Sequence, residues 1–380
     1  MFFVPPLSLY IHIPWCIKKC SYCDFNTYKF KKKISEQIQY IKMLIQDLKN
    51  DVKLVHQKHI QTIFIGGGTP NLINHHLLRY LICKIKKIIP IKKGSEITIE
   101  INPDYITIKD ILKYIKIGIN RISIGIQSFQ NQFLNILGRT HSKNQIITLL
   151  YQIKKNNNIN FNIDLMYGLP LQSTQDCILD LKTAIKIQPN HISWYQLNIE
   201  KNTIFYYQKP KLPTENTIWN MYHNGDKLLK KNHYCRYEIS SYSKKNFFCA
   251  HNLNYWNFGD YIGIGCGSHG KITNINGQII RTIKKKRIYE YCNQQYKYIE
   301  KKNIIKNSEK PVEYFMNVLR LLKPIKKKSF CLHTNLNLSY IKKSIEKAIK
   351  KKYIIEKKKY WFISEKGQNL LNNLIECFIM

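Results

Sequence analysis

Cys16, Cys20 and Cys23 stand in one short segment with the spacing C-x3-C-x2-C. Thiolates are the ligands of iron–sulfur clusters, and a cluster bound wholly by protein needs a fourth ligand. The next cysteine along the chain is Cys83, so the segment offers three. Three thiolates can hold three corners of a [4Fe–4S] cluster and leave one iron open. An open position marks a catalytic metal site rather than a structural one, by the logic that separates open from closed zinc sites. The open iron can take the amino and carboxylate groups of S-adenosylmethionine (SAM). The same thiols can also hold zinc or stand unpaired. The nearby turn Gly66-Gly67-Gly68-Thr69-Pro70 tilts the reading toward cluster and SAM. Glycines let backbone N–H and C=O groups meet a ligand with no Cβ in the way. Taken alone, that turn reads equally as a tight bend.

Further along, Glu100 closes one apolar run, Gln127 and Ser128 close the next, Arg139 follows in Leu137-Gly138-Arg139-Thr140-His141, and Asp164 lies within another run. A charge inside an apolar strand is costly unless it is paired or used. Glu100, Arg139 and Asp164 can together bind a zwitterionic amino acid and ribose hydroxyls, with Arg139 suited to a carboxylate. A structural ion network inside the fold is the alternative. A second segment, Cys249-Ala250-His251-Asn252-Leu253-Asn254-Tyr255-Trp256, combines an imidazole and a thiol with aromatic residues. His251 or Cys249 can ligate haem iron, and Tyr255, Trp256 and Phe258 can wall a porphyrin. His269, among glycines, is a lesser candidate. The bland reading is a loop histidine beside aromatic core residues.

These residues need elements to hold them. Apolar, β-branched runs at Leu7–Ile13, Thr62–Ile65, Glu96–Ile101, Arg121–Ile126, Asn160–Met166 and 191–199 read as strands. Helical patterns near 35–50, 74–88, 107–117, 130–155 and 174–187 alternate with them. Strand, helix, strand in regular succession implies parallel strands with crossovers. Six such units predict an α/β fold: a partial (β/α)6 TIM-like barrel with its chemistry at the C-terminal ends of the strands. A helix is expected at 214–231, a strand at 234–242, a functional loop at 246–270 and a basic helix at 284–302. A mostly helical, winged-helix-like domain with a hairpin at 353–355 and 360–363 is expected beyond. The domain reading is 1–240 barrel, 241–305 extension with the haem segment, and 306–380 C-terminal domain.

The net charge of +37 invites a nucleic-acid reading. Only seven of the 61 basic residues are Arg, the residue that planar phosphate recognition prefers. Lys, Ile, Asn and Tyr rise together, as compositional drift toward AT-rich codons would make them. The excess reads as a solvated lysine surface, with weak attraction to anionic membranes or RNA as its main consequence. No specific nucleic acid is expected. The eight cysteines beyond Cys16, Cys20 and Cys23 are scattered and the total of eleven is odd, which indicates reduced thiols and a cytoplasmic setting.

Together the motifs resemble the radical-SAM proteins of the oxygen-independent coproporphyrinogen dehydrogenase type, and within that group its haem-chaperone branch. The resemblance runs from about Leu7 to Phe378. It is carried by Leu9-Tyr10-Ile11-His12-Ile13-Pro14-Trp15-Cys16, Cys20-Ser21-Tyr22-Cys23-Asp24-Phe25, the glycine turn, Ile126-Gln127-Ser128-Phe129 and Met166-Tyr167-Gly168-Leu169-Pro170. Tyr195-Gln196-Leu197, Tyr237-Glu238-Ile239-Ser240 and the His251–Trp256 stretch extend it. The resemblance implies SAM contacts at Tyr10, Tyr22, Gly67, Gly68, Thr69, Glu100, Gln127, Arg139 and Asp164. It implies a cluster on Cys16, Cys20 and Cys23, and haem at His251, Tyr255 and Trp256. The true dehydrogenases carry another cysteine two places after the third; here Phe25 stands there, as in the haem chaperones. The implied function is haem binding and delivery to respiratory acceptor proteins. Coproporphyrinogen III decarboxylation and RNA modification are the alternatives.

Overall fold

The computed structural model describes residues 3–56, 59–156, 159–293 and 298–379. The first half is a run of β/α units. It comprises β1 (Leu7–Ile13), a short parallel pair β2 (Trp15–Cys16) and β3 (Tyr28–Lys29), α1 (Ile34–Val52), β4 (Ile60–Gly67), α2 (His75–Ile88), β5 (Ile91–Ile101), α3 (Ile108–Ile117), β6 (Arg121–Gln127), α4 (Asn131–Leu137), α5 (Lys143–Lys155), β7 (Asn160–Tyr167), α6 (Thr174–Ile187) and β8 (His191–Gln196). Strands β1, β4, β5, β6, β7 and β8 lie parallel in that order. Their apolar residues are buried on both faces, as near-continuous runs predict for parallel strands covered by helices. The predicted partial barrel is therefore present, and every crossover returns the chain to the same end.

The chain continues as α7 (Ile204–Gln208), α8 (Glu215–Lys231), β9 (Cys235–Glu238), β10 (Ser241–Ser243), α9 (Ala250–Trp256), β11 (Asp260–Ile264), β12 (His269–Thr273), β13 (Ile279–Lys284), α10 (Ile288–Cys292) and β14 (Ile299–Ile304). Among the described residues these strands extend one sheet of twelve, ordered β14-β13-β12-β11-β1-β4-β5-β6-β7-β8-β10-β9. β11 lies parallel to β1, with Leu7 opposite Asp260. Strands β11 to β14 thus continue the barrel sheet on its β1 side, while β10 and β9 extend it beyond β8.

Four local expectations are corrected. The single helix over 130–155 is two, because Gly138 at φ 81 ends α4 with a left-handed residue. The strand over 234–242 is the antiparallel hairpin β9–β10. The loop over 246–270 contains α9 and two strands. The basic helix over 284–302 is instead the end of β13, the short α10 and the start of β14, and residues 294–297 of it lie outside the described residues.

The rest of the chain packs round its own core, in which Tyr314, Phe315, Phe330, Trp361 and Phe378 meet Phe258 from the turn before β11 and Ile279 of β13. It is helical, with an antiparallel three-stranded sheet of Ile325–Lys326, Ile354–Glu356 and Tyr360–Ile363. Among the described residues, no helix is long and apolar enough to cross a membrane.

Candidate functional site

The three cysteines lie on the loop that leaves β1, and backbone bonds lock that loop to the glycine turn after β4. Gly68 N–H donates to Ile13 O at 2.7 Å and Thr69 N–H to Trp15 O at 2.8 Å. Thr69 Oγ1 lies 3.5 Å from Cys16 Sγ. Ser21 N–H donates to Leu137 O at 3.2 Å, which ties the loop to the end of α4. A cavity of about 440 Å³ opens here, and Cys16, Cys20, Cys23, Tyr22, Gly67, Gly68, Thr69, Glu100, Gln127, Arg139 and Asp164 all line it. Sequence positions as far apart as 16 and 164 therefore meet at the C-terminal end of the parallel strands, as the fold rule requires.

Burial raises the Cys16 and Cys23 thiols, the latter to about 11, and each is raised further by the neighbouring cysteines. Such thiols release their protons to a metal, not to water at neutral pH. Among the described residues, no three His, Cys, Asp or Glu side chains converge tightly on a single metal ion. The backbone cradle is close-fitting. A Cβ on Gly67, at φ 112, would stand 2.6 Å from the His12 ring, and one on Gly68 would stand 3.1 Å from Cys16 Sγ. No residue with a side chain fits where backbone and thiolates approach this closely, which is the arrangement a cluster and an amino-acid ligand need.

Glu100 accepts from Gly67 N–H at 3.1 Å. Burial, reinforced by the Asp164 charge, pushes its carboxyl up to about 8. Asp164 accepts from Asn162 at 2.7 Å and Ser123 at 3.1 Å. Arg139 donates to Gly125 O at 2.9 Å, while its buried Nε has no hydrogen-bond partner. Gln127 sits at φ 72, where a bulge between Gly125 and Gln127 breaks the β6–β7 register. Strained left-handed backbone of this kind concentrates at functional sites. Tyr195 O–H holds the Gln127 side chain at 2.9 Å and lines the same cavity. In the sequence, Tyr195 stands out only as part of the Tyr195-Gln196-Leu197 motif. Its place at the end of β8 is the signal that identifies it.

A second cavity, about 750 Å³, adjoins the first, and Lys19, Asp24 and Phe25 line both. His251, Tyr255, His269, His12 and Tyr10 also line the second. Tyr10 thus faces this side, bonded to His12 Nδ1 at 3.1 Å, although Glu100 still acts on it electrostatically. His251 Nδ1 is tied to Thr62 Oγ1 at 3.0 Å, and burial pushes its imidazole down to about 4. Three haem candidates are placed elsewhere, and one of them, Phe258, is buried in the C-terminal core against Tyr314. Trp256 does not line this cavity; its ring lies 4.6 Å under the Arg320 guanidinium. Cys249 is buried, bonded to Glu96 at 3.4 Å, with its thiol pushed up to about 12. The helix that replaces the expected loop turns these two away from His251, because successive helical residues point about 100° apart.

Residues 10–181 match the Radical SAM superfamily model. Over its full length the chain is 52% identical to the "Heme chaperone HemW" of Buchnera aphidicola subsp. Schizaphis graminum, covering 100% of both chains. It is 45% identical to that of Haemophilus influenzae (99% of this chain, 98% of the other) and 42% identical to that of Escherichia coli K12 (99% of each). The chain belongs to the HemW family of radical SAM proteins. Coproporphyrinogen III oxidase (HemN) of Escherichia coli, itself a radical SAM enzyme, has the same fold. The TM-score is 0.84 over 99% of this chain and 91% of that one, at 20% identity.

Proposed function

We propose that this protein is a cytoplasmic haem chaperone that binds haem beside a [4Fe–4S] and SAM site and delivers it to respiratory acceptor proteins. The observation that carries this reading is the adjoining pair of cavities. One gathers the three cysteines with Glu100, Gln127, Arg139 and Asp164, and the other gathers His251 and Tyr255. A bound cluster supplies one-electron chemistry and an open iron for SAM. Cys16, Cys20 and Cys23 hold it, Gly67, Gly68 and Thr69 carry the amino-acid part of SAM, and Asp164 receives its ribose hydroxyls. Arg139 would pair with its carboxylate. The family relatives bear the name of haem chaperones. Haem is the cargo in this reading, and His251 is the iron ligand, with Tyr255 at the porphyrin edge. When Nδ1–H donates to Thr62, Nε2 keeps its lone pair for iron, the arrangement that metal-binding histidines favour.

The likeness of fold to HemN favours porphyrinogen decarboxylation as a second reading. Phe25, half exposed between the two cavities, weighs against it, since no thiol stands at that place. The test is haem titration of anaerobically reconstituted protein followed at the Soret band. Haem should bind with unit stoichiometry, and His251→Ala should shift the band or weaken binding at least about tenfold, the scale of a lost metal contact. Because the His251 imidazole is held near 4, its ligation should persist down to about pH 4–5. Loss of the band near pH 6.5, or a His251→Ala protein with unaltered spectrum and affinity, would remove His251 from the site.

A further inference from the structure

A buried hydrogen-bonded chain runs through the barrel from the cofactor cavity toward the helix that carries His251. Asp164 Oδ1 accepts from Asn162 Nδ2 at 2.7 Å. Asn162 Oδ1 accepts from His191 Nδ1 at 2.6 Å. Burial and the Arg121 charge hold His191 well below the ordinary imidazole range, so the ring is neutral and carries one proton. That proton is on Nδ1, which leaves Nε2 to accept from Tyr237 O–H at 2.8 Å. Tyr237 Oη in turn accepts from Cys249 N–H at 3.2 Å. Cys249 caps α9, and the next two N–H groups, of Ala250 and His251, donate to Glu96 at 2.9 and 3.1 Å. His191 and Asn162 are 0% and 1% exposed, so no water competes along the middle of the chain.

Every link from Cys249 to Asp164 donates in the same direction. Buried chains of this kind polarise cooperatively, and a change at one end is felt at the other. Ribose hydroxyls donating to Asp164 would compete with Asn162 and weaken the pull on His191 and Tyr237. The seat of the first turn of α9, where His251 sits, would then shift.

We infer that His191 and Tyr237 are positioning residues that couple occupancy of the Asp164 site to the placement of His251, so that SAM and haem affinities depend on one another. The inference rests on the proposed function, which puts SAM at Asp164 and haem at His251. Coupling between sites is reciprocal: the factor by which haem changes SAM affinity must equal the factor by which SAM changes haem affinity.

The test uses anaerobically reconstituted full-length protein, with SAM titrated by calorimetry in the absence and presence of one equivalent of haem. The wild-type ratio of the two SAM affinities should be at least about fivefold, and haem titrations with and without SAM should return the same ratio. Tyr237→Phe keeps the ring packed 4.7 Å from Phe248 and removes the hydroxyl. It should bring the ratio within about twofold of unity while both ligands still bind, and His191→Gln should do the same. Tyr234→Phe removes a buried hydroxyl bonded to Pro189 O and should keep the wild-type ratio. Addition of SAM should move the Soret band of wild type and leave that of Tyr237→Phe unmoved. A wild-type ratio of one, or a ratio that survives both relay substitutions, overturns the inference. Failure of the proposed function reads differently: SAM does not bind, or the haem spectrum ignores His251→Ala. The relay then has nothing to connect and falls with it.

Discussion

Glu100 is the residue whose chemistry depends most on its surroundings. Its carboxyl is held at about 8 by burial and by Asp164, so at neutral pH most ligand-free molecules carry it protonated. SAM keeps its sulfonium charge when its amino group, as the free amine, ligates iron. A cation placed against Glu100 favours the ionised form, and the carboxyl proton leaves on binding. SAM affinity should therefore rise with pH up to about 8. Calorimetry at pH 7 in buffers of different ionisation enthalpy should show about one more proton released by wild type than by Glu100→Gln. The difference isolates Glu100, since SAM is common to both. Equal release would place Glu100 outside the ligand's reach. In the ligand-free protein the sign runs the other way. The folded carboxyl holds its proton where the unfolded chain, at 4.5, has lost it, so this group's contribution to stability is lost as pH rises through about 8.

At the scale of elements, the site depends on how helices stop. Gly138 ends α4 in a left-handed conformation, with its N–H on Asn135 O at 3.0 Å and the Arg139 N–H on Leu134 O at 2.9 Å. This Schellman turn aims Arg139 into the cavity. Any side chain at φ 81 is strained, so Gly138→Ala should cost about 1–2 kcal/mol of stability in urea unfolding. It should also weaken SAM binding, because Arg139 follows the turn directly. Full SAM affinity in a protein destabilised by that amount would show that the turn ends the helix without placing the arginine. Gln127 shows the same logic on a strand: its bulge and positive φ swing the amide out of the ladder toward the cavity.

At the scale of the molecule, a buried ion cluster ties the β11–β14 part of the sheet to the helix behind the cysteine loop. Lys284 Nζ on β13 contacts Asp47 Oδ1 at 2.5 Å and Asp51 Oδ2 at 2.8 Å on α1, with all three essentially unexposed. Asp47 Oδ2 also takes the Tyr291 hydroxyl at 2.6 Å and Gly265 N–H at 3.2 Å. Two carboxylates face one ammonium here, and burial pushes Asp51 up to about 6. Removing the cation leaves buried carboxylates uncompensated. Lys284→Ala should cost about 3–5 kcal/mol. Lys230→Ala, which breaks a pair with Asp226 on the surface of α8, should cost under about 1 kcal/mol. Denaturation of the two variants side by side measures the gap, and comparable losses would mean that the tie is not what holds this side of the sheet.

The order of the β/α units and the three-thiol spacing were legible in the sequence, because both are local. Apolar runs of strand length fix parallel strands, and a short loop fixes which cysteines can share a ligand. The glycine turn, Glu100, Gln127 and Asp164 were readable for a related reason: each ends or interrupts a strand pattern, and the barrel rule sends all such ends to one face, whereas Arg139 follows the glycine that ends α4. What followed β8 was not readable in this way. The segment over 246–270 has the Gly and aromatic content of a loop, yet Asp260–Ile264 adds to the sheet as a parallel partner of β1, more than two hundred residues away in sequence. No local pattern records that pairing. The same long-range step turned α9 so that His251 and Tyr255 face the second cavity while Trp256 packs against Arg320 and Cys249 against Glu96. The sequence determined which chemistry this chain can carry. The tertiary structure alone decided which side chains share a cavity, because that choice is made by strand pairing and burial across the whole sheet.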